Sequence, residues 1–486
     1  MINKSSGNSL IVPLLAVCML SALSAVDWGK LSDGHLSNFN LIEDILDSSL
    51  LQVSEPATVE TLIDPALEAA MAEVTSEKEL PVHEVEMSDH SQKSQSVTPA
   101  NHSVADASVS MQDVEVAQSV ARVNGIQPIE DYTPGQSGLS RFKDALSQRS
   151  ARRVRIAVIG DSYIEGDIFT QDIRRLLQQE YGGHGVGYMS MHSDFPGFRQ
   201  SVNQSDNGWA VRDMRNHASD PIRPLSGEYC IGNTGSVTTF KGPKYDNVKS
   251  WTSSKLLFVA DNAGQISVKT DSLSKDIPVQ ASPEVQMLSV EDLTTKATFN
   301  VQANNVKILG AWLEDNSGVG VDCMSLRGNS GASHKSVSSD LAAQMSRFIN
   351  YDLIILEYGL NALSPEQSNY KAYMKIMAQV INRVRECYPN ADIMMLGVGD
   401  RGHKKGSSVN SIPTVDAMVS AQRQCAANCG ILFWDTRAAM GGVNAIVDWR
   451  QRGLVNADYI HLNHKGGSEL ANEFVNSLKQ FVNVSN

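Results

Sequence analysis

The chain has 486 residues, 42% of them hydrophobic and 6% aromatic, enough for two or three ordinary domains with their own cores. Its net charge of −13 is local, because 18 acidic and 4 basic residues stand between Asp27 and Arg122 and the remainder is nearly neutral. A neutral folded part gives no electrostatic reason to expect nucleic acid as a partner.

At the N-terminus an apolar run from Leu10 to Ala25 is interrupted by Pro13. It is short for a bilayer span and suits the apolar part of an export signal. Residues 1–25 are therefore expected to be a signal peptide, or an uncleaved anchor that attaches the protein to the inner membrane. Either way the bulk of the chain is expected to be exported, to the periplasm or cell envelope. Residues 26–124 are acidic and poor in aromatics, with little sustained periodicity beyond a short helix near Asn38 to Leu51. Such a stretch buries too little surface to offset its chain entropy, so it reads as a mostly disordered linker.

Order is expected from residue 125. Gly138 to Gln148 has the pattern of an amphipathic helix, and Arg153 to Gly160 (RVRIAVIG) that of a buried strand. A turn and a helix, Ile168 to Tyr181, follow at once. Between residues 207 and 325 the rhythm changes to short Thr- and Val-rich runs at Ser236–Phe240, Lys255–Ala260, Gln265–Lys269, Ala297–Val301 and Val306–Trp312. These predict an inserted all-β, sandwich-like module that divides an α/β domain into parts 125–206 and 326–486. In the second part, apolar runs at Asp352–Gly359, Ala391–Gly397 and Gly430–Asp435 alternate with helical patterns at Tyr370–Cys387 and Val415–Ala427. Continuous apolar strands alternating with helices argue a parallel sheet covered by helices on both faces.

Five cysteines lie beyond the signal segment, an odd number without disulfide spacing. Cys425 and Cys429, four apart on one predicted helix, read as core residues. No nucleotide, flavin or metal motif is visible, so no cofactor and no metal site is expected.

Four short blocks carry the chemistry. Gly160-Asp161-Ser162 sits between a buried strand and a helix, where an open α/β sheet binds ligands. RGNSGAS contains Gly331, LEYGLNAL contains Gly359 and Asn361, and DYIHLNHKG places Asp458 three residues before His461. That last spacing lets a carboxylate orient an imidazole while its other nitrogen faces a hydroxyl. Singly each block is weak; in this order they resemble the SGNH (GDSL-type) hydrolase family over roughly residues 153–478, insert excluded.

The resemblance implies a flavodoxin-like sheet and a serine esterase. Ser162 would be the nucleophile, His461 its base and Asp458 the orienter, with an oxyanion hole from the Ser162 and Gly331 main-chain N–H groups and the Asn361 side chain. Gly328 is the alternative glycine in the second block; Gly331 follows Ser330, the arrangement usual there. Ala362 stands where many members have Asp, which removes a carboxylate beside the Asn. The helix after Ser162, the β insert and FWDTRAAMGG (433–442) are similar to exported bacterial members acting on O-acetyl groups of cell-envelope polysaccharides. The expected substrate is an acylated polysaccharide or small ester.

Asp400 and Arg401, after an apolar strand, are candidate substrate contacts, as is Trp209; Trp209 and Trp251 could stack on sugar rings, although core packing is the commoner fate of Trp. Asp167 reads as favouring a helix N-terminus. An O-acetyltransferase with the same triad, and an inactive glycan-binding protein, are the competing functions.

Overall fold

The computed structural model describes residues 64–76, 120–217, 219–406 and 408–484. The signal segment and the helix expected near Asn38 lie outside them. Among the described residues no helix is long and apolar enough to cross a membrane.

The α/β domain opens with β1 (Ile129–Asp131) and β2 (Arg153–Gly160). All eight residues of β2 are buried, as a β-branched run in the middle of a parallel sheet should be. The inserted module holds β3 (Gly187–Met189), β4 (Asn203–Asp213), β5 (Glu228–Lys241), β6 (Trp251–Ala260) and β7 (Gly264–Lys269). It continues with β8 (Ser274–Val279), β9 (Ser282–Thr294), β10 (Lys296–Gln302) and β11 (Val306–Glu314). The chain then returns to the first sheet with β12 (Gly318–Ser325), β13 (Leu353–Glu357) and β14 (Asp392–Leu396). A small hairpin, β15 (Gly402–Lys405) and β16 (Ser408–Ser411), precedes β17 (Leu432–Trp434).

The first sheet has the order β1-β17-β14-β13-β2-β12, parallel throughout except for β1. Among its parallel strands β2 comes first in the chain, with the second on one side and the third, fourth and fifth on the other. This is a doubly wound order, whose switch point lies beside the first strand. Ser162 leaves β2 at that point. Helices Ser140–Ser147, Thr170–Tyr181, Lys371–Cys387 and Val415–Cys429 fall close to their expected positions. The last helix, His464–Val484, seats Phe474 edge-on to Phe169 and Trp434, with centroids 5.9 and 5.1 Å away.

Three expectations about organisation need correction. First, the insert begins at β3 and ends at β11, and residues 318–325 belong to the parallel sheet. The run GVGVDCMS is small and apolar, and all but its last residue are buried. Second, the module is one continuous branched sheet of nine strands, not two stacked sheets. Register shifts at Asn207/Trp209, Trp251/Ser253 and Ile308/Gly310 let long strands bend around a core that includes Phe240, Phe299 and Trp251.

Third, the stretch read as a linker contains a helix, Pro65–Ser76. Asp64 caps it: Oδ1 accepts from the Ala66 N–H at 3.0 Å, and Pro65 occupies the first turn, where no donor is needed. Leu67 and Ala70, one turn apart, are buried in the main core.

Candidate active site

The loops after β2, β12, β13 and β14 leave the sheet at the carboxyl ends of parallel strands, so they gather at one edge. After β2 the chain turns sharply because Asp161 Oδ1 accepts from the Tyr163 N–H at 2.8 Å. That turn presents Ser162, which is half-buried.

Ser162 Oγ lies 2.9 Å from His461 Nε2, and His461 Nδ1 lies 2.7 Å from Asp458 Oδ2. Asp458 Oδ1 accepts from the main-chain N–H groups of Ile460 and His461, at 2.9 and 3.1 Å. The carboxylate is therefore fixed by its own loop, and the imidazole is oriented from behind. Burial pushes the Asp458 carboxyl up, but His461 and those N–H groups outweigh it and hold it below the ordinary range. Between them Tyr459 has φ +57°, a left-handed conformation uncommon for a bulky residue, and its carbonyl accepts from Gly402 at 2.8 Å. The His461 and Asp458 side chains are 32% and 41% exposed, so the pair opens to solvent.

The other expected residues converge as well. Asn361 Nδ2 donates to Asp161 Oδ2 at 2.7 Å and to the Asn329 carbonyl at 3.1 Å. The Gly331 N–H donates to Asn329 Oδ1 at 2.9 Å. Blocks one, two and three are thus tied together, and two of the three expected oxyanion donors point at internal acceptors. A charged oxygen accepts more strongly than an amide oxygen, so a developing oxyanion competes well for the Gly331 N–H and for the Asn361 N–H held by the Asn329 carbonyl, while the Asp161 carboxylate keeps the other. Gly331 has φ +90°, and a Cβ there would stand 2.9 Å from the Tyr358 ring.

The sequence reading missed Asn329, which supplies one acceptor to Gly331 and one of the two to Asn361. Its Nδ2 is buried without a hydrogen bond, leaving a donor at the site. It also missed Asp64, whose Oδ2 accepts from the Ser330 N–H and Oγ at 2.8 and 2.7 Å. Asn329 was visible inside the second block; nothing in the sequence around Asp64 pointed to a residue 266 positions away.

The remaining candidates separate. Arg401 adjoins the site: its Nη1 donates to the Leu360 and Leu363 carbonyls, 3.1 and 3.4 Å away, bracing the third block. Burial lowers its pKa, while Asp458 and Asp161 raise it. Asp400 is completely buried, and both its oxygens are occupied by Arg437, Ser411 and the Ile446 N–H, so it is a structural residue and not a substrate contact. Trp209 donates to the Val237 carbonyl and lies on Gly232, inside the module's sheet. Trp251 is 1% exposed and bonded to Ser254, which rules it out as a sugar platform. Asp167 does more than favour a helix: it is a buried hub that binds Arg174 through both oxygens and also Arg199 and Ser201.

A cleft of about 470 Å3 borders the Ser162 turn at Glu165 and Gly166. Arg327, which lies over the exposed Phe195 ring at 5.2 Å, lines it together with His192 and Arg199.

Among solved structures, the chain is similar to a peptidoglycan O-acetylesterase at 21% identity and a TM-score of 0.61, over 73% of this chain and 99% of that one. A family two carbohydrate esterase from Cellvibrio japonicus overlaps more loosely, at 11% identity and a TM-score of 0.25, over 58% of this chain and 100% of that one. No family model and no curated protein matches. The first of these likenesses establishes a shared fold.

Proposed function

We propose that this chain is an exported serine esterase of the SGNH type that removes acetyl or other short acyl esters from a carbohydrate, with cell-envelope polysaccharide as the natural class. The observation that carries the reading is the Ser162–His461–Asp458 line, with gaps of 2.9 and 2.7 Å, open to solvent on a sheet's switch point. The fold it shares with a peptidoglycan O-acetylesterase supports the substrate class. The cleft beside Glu165 offers a groove in which a glycan can lie.

In the reaction, His461 Nε2 takes the Ser162 proton as Oγ attacks the ester carbonyl. Asp458 stabilises the resulting imidazolium, and the Ser162, Gly331 and Asn361 donors receive the oxyanion. Collapse expels the sugar oxygen, which takes the proton back from His461. Water, deprotonated by the same imidazole, then releases the acid from Ser162.

Hydrolysis of an aryl acetate by the full chain and by Ser162→Ala tests this. The variant should lose about 1,000-fold or more in kcat, and a fluorophosphonate probe should label Ser162. Undiminished hydrolysis by the variant would refute the assignment. Acetylation of an added glycan in preference to acetate release would make the enzyme a transferase.

A further inference from the structure

Beside Ser162 lies a pair of carboxyl groups that the triad does not use. Parallel pairing of β13 with β2 sets Glu357 opposite Gly160, one residue before Asp161. Asp161 is 0% exposed and Glu357 2%. Gly160 makes the room, since a Cβ there would stand 2.7 Å from Glu357 Oε2. Burial, the charge on Asp161 and a hydrogen bond between the two side chains raise the Glu357 carboxyl, and the Asp161 main-chain N–H lowers it. Asp161 is otherwise engaged, accepting from Tyr163 through Oδ1 and from Asn361 through Oδ2. Glu357 Oε2, although buried, has no other partner.

Two ionised carboxylates in a dry pocket repel each other, whereas one shared proton turns the contact into a hydrogen bond and satisfies the orphaned oxygen. We propose that Glu357 is a positioning residue: it holds a proton donated to Asp161, keeps Asp161 as the acceptor that aims Asn361, and spares the oxyanion pocket a second negative charge. This rests on the reading of Ser162 as nucleophile.

The surroundings agree. His461, Glu165 and Arg401 face Asp161 from the site. Tyr163, Tyr358 and Tyr373 face both carboxyls from the packed side, and burial keeps those hydroxyls protonated. Tyrosines bring no positive charge, so a proton is what balances the pair on that side. Burial drives both carboxyls upward, and the charge on Asp161 adds to the rise at Glu357.

The test compares Glu357→Gln and Glu357→Leu in the full chain, measuring kcat and KM for an aryl acetate across pH. The Leu variant should lose about tenfold or more in kcat with KM little changed, as when an oxyanion donor is misaimed. The Gln variant, whose amide N–H replaces the shared proton, should recover most of that loss. It should also keep its kcat at alkaline pH, where the wild type declines. Infrared spectra should show the C=O band of a buried protonated carboxyl in the wild type and not in Glu357→Gln. Wild-type kcat in the Leu variant at every pH would overturn the proposal, as would failure of Gln to rescue or absence of that band. Should the Leu variant not fold, the Gln variant and the spectrum decide. The band does not depend on Ser162, so failure here is distinguishable from failure of the esterase reading.

Discussion

Gly331 and Gly328 lie three residues apart in one block, both with positive φ, yet their surroundings differ. At Gly331 a Cβ would meet two Tyr358 ring carbons at 2.9 Å and Met377 Sδ at 3.2 Å; at Gly328 the nearest atom is Arg215 Nη1 at 3.5 Å. Gly331→Ala should therefore add contact strain to a backbone strain of about 1–3 kcal/mol and shift the N–H aimed at the oxyanion. The expected result is a kcat reduced about tenfold or more together with a lower Tm, whereas Gly328→Ala should leave kcat within about threefold. Equal kinetics for the two variants would reassign the second-block donor. At this scale the sequence was most legible where chemistry demands a residue type, as at Ser162, Asp458 and His461. It was least legible where a common residue gains meaning from its neighbours. Asp400 and Arg401 are adjacent in the chain, but one is sealed around Arg437 and the other braces Leu360 and Leu363.

Among the elements, the helix Pro65–Ser76 joins a stretch that looks structureless to the second block. Among its described side chains Leu67, Ala70 and the cap Asp64 are buried. Asp64 both caps this helix and holds Ser330. Asp64→Ala should destabilise the protein by about 1–2 kcal/mol. It should also lower kcat more than it raises KM, because the second block loses its brace. Denaturant melts with parallel kinetics would show this, and wild-type values in both would remove the helix from the site's support. The parallel strands were readable because burial on both faces demands unbroken apolar runs, as in β2 and β13. Module strands such as β4 and β8 alternate or lie exposed, so their runs carried little signal.

At the scale of the whole molecule, His334 should oppose folding in acid. It lies fully buried in the turn after Gly331, with Nε2 3.1 Å from the Leu225 carbonyl and Nδ1 3.4 Å from the Tyr358 hydroxyl. Burial holds it down to about 4, although the Leu225 carbonyl and Asp64 pull it upward. The unfolded chain takes up this proton near the ordinary value of 6.5 and the folded one only near 4, so the contribution of His334 is complete above 6.5 and is lost as pH drops toward 4, while Asp161 and Glu228, pushed up by burial to about 6 and about 7, act in the opposite sense over that window. The His334 part should be about 3 kcal/mol, read as the change in the stability difference between wild type and His334→Asn when both are unfolded in denaturant across that window. An unchanged slope in the variant would place the acid sensitivity elsewhere.

From its sequence alone this chain declared a buried first strand ending in the Ser162 turn, a histidine with a carboxylate three residues before it, and an alternation of strands and helices. Those features are local, since each depends on residues within a turn or a strand of one another. Only the tertiary structure decided that Glu357 lies beside Asp161, that Asn329 accepts from Gly331 and Asn361, that Asp64 holds Ser330, and that Asp400 is sealed away. These partnerships join positions up to 266 apart through strand register and close packing, and such distances leave no periodic trace along the chain.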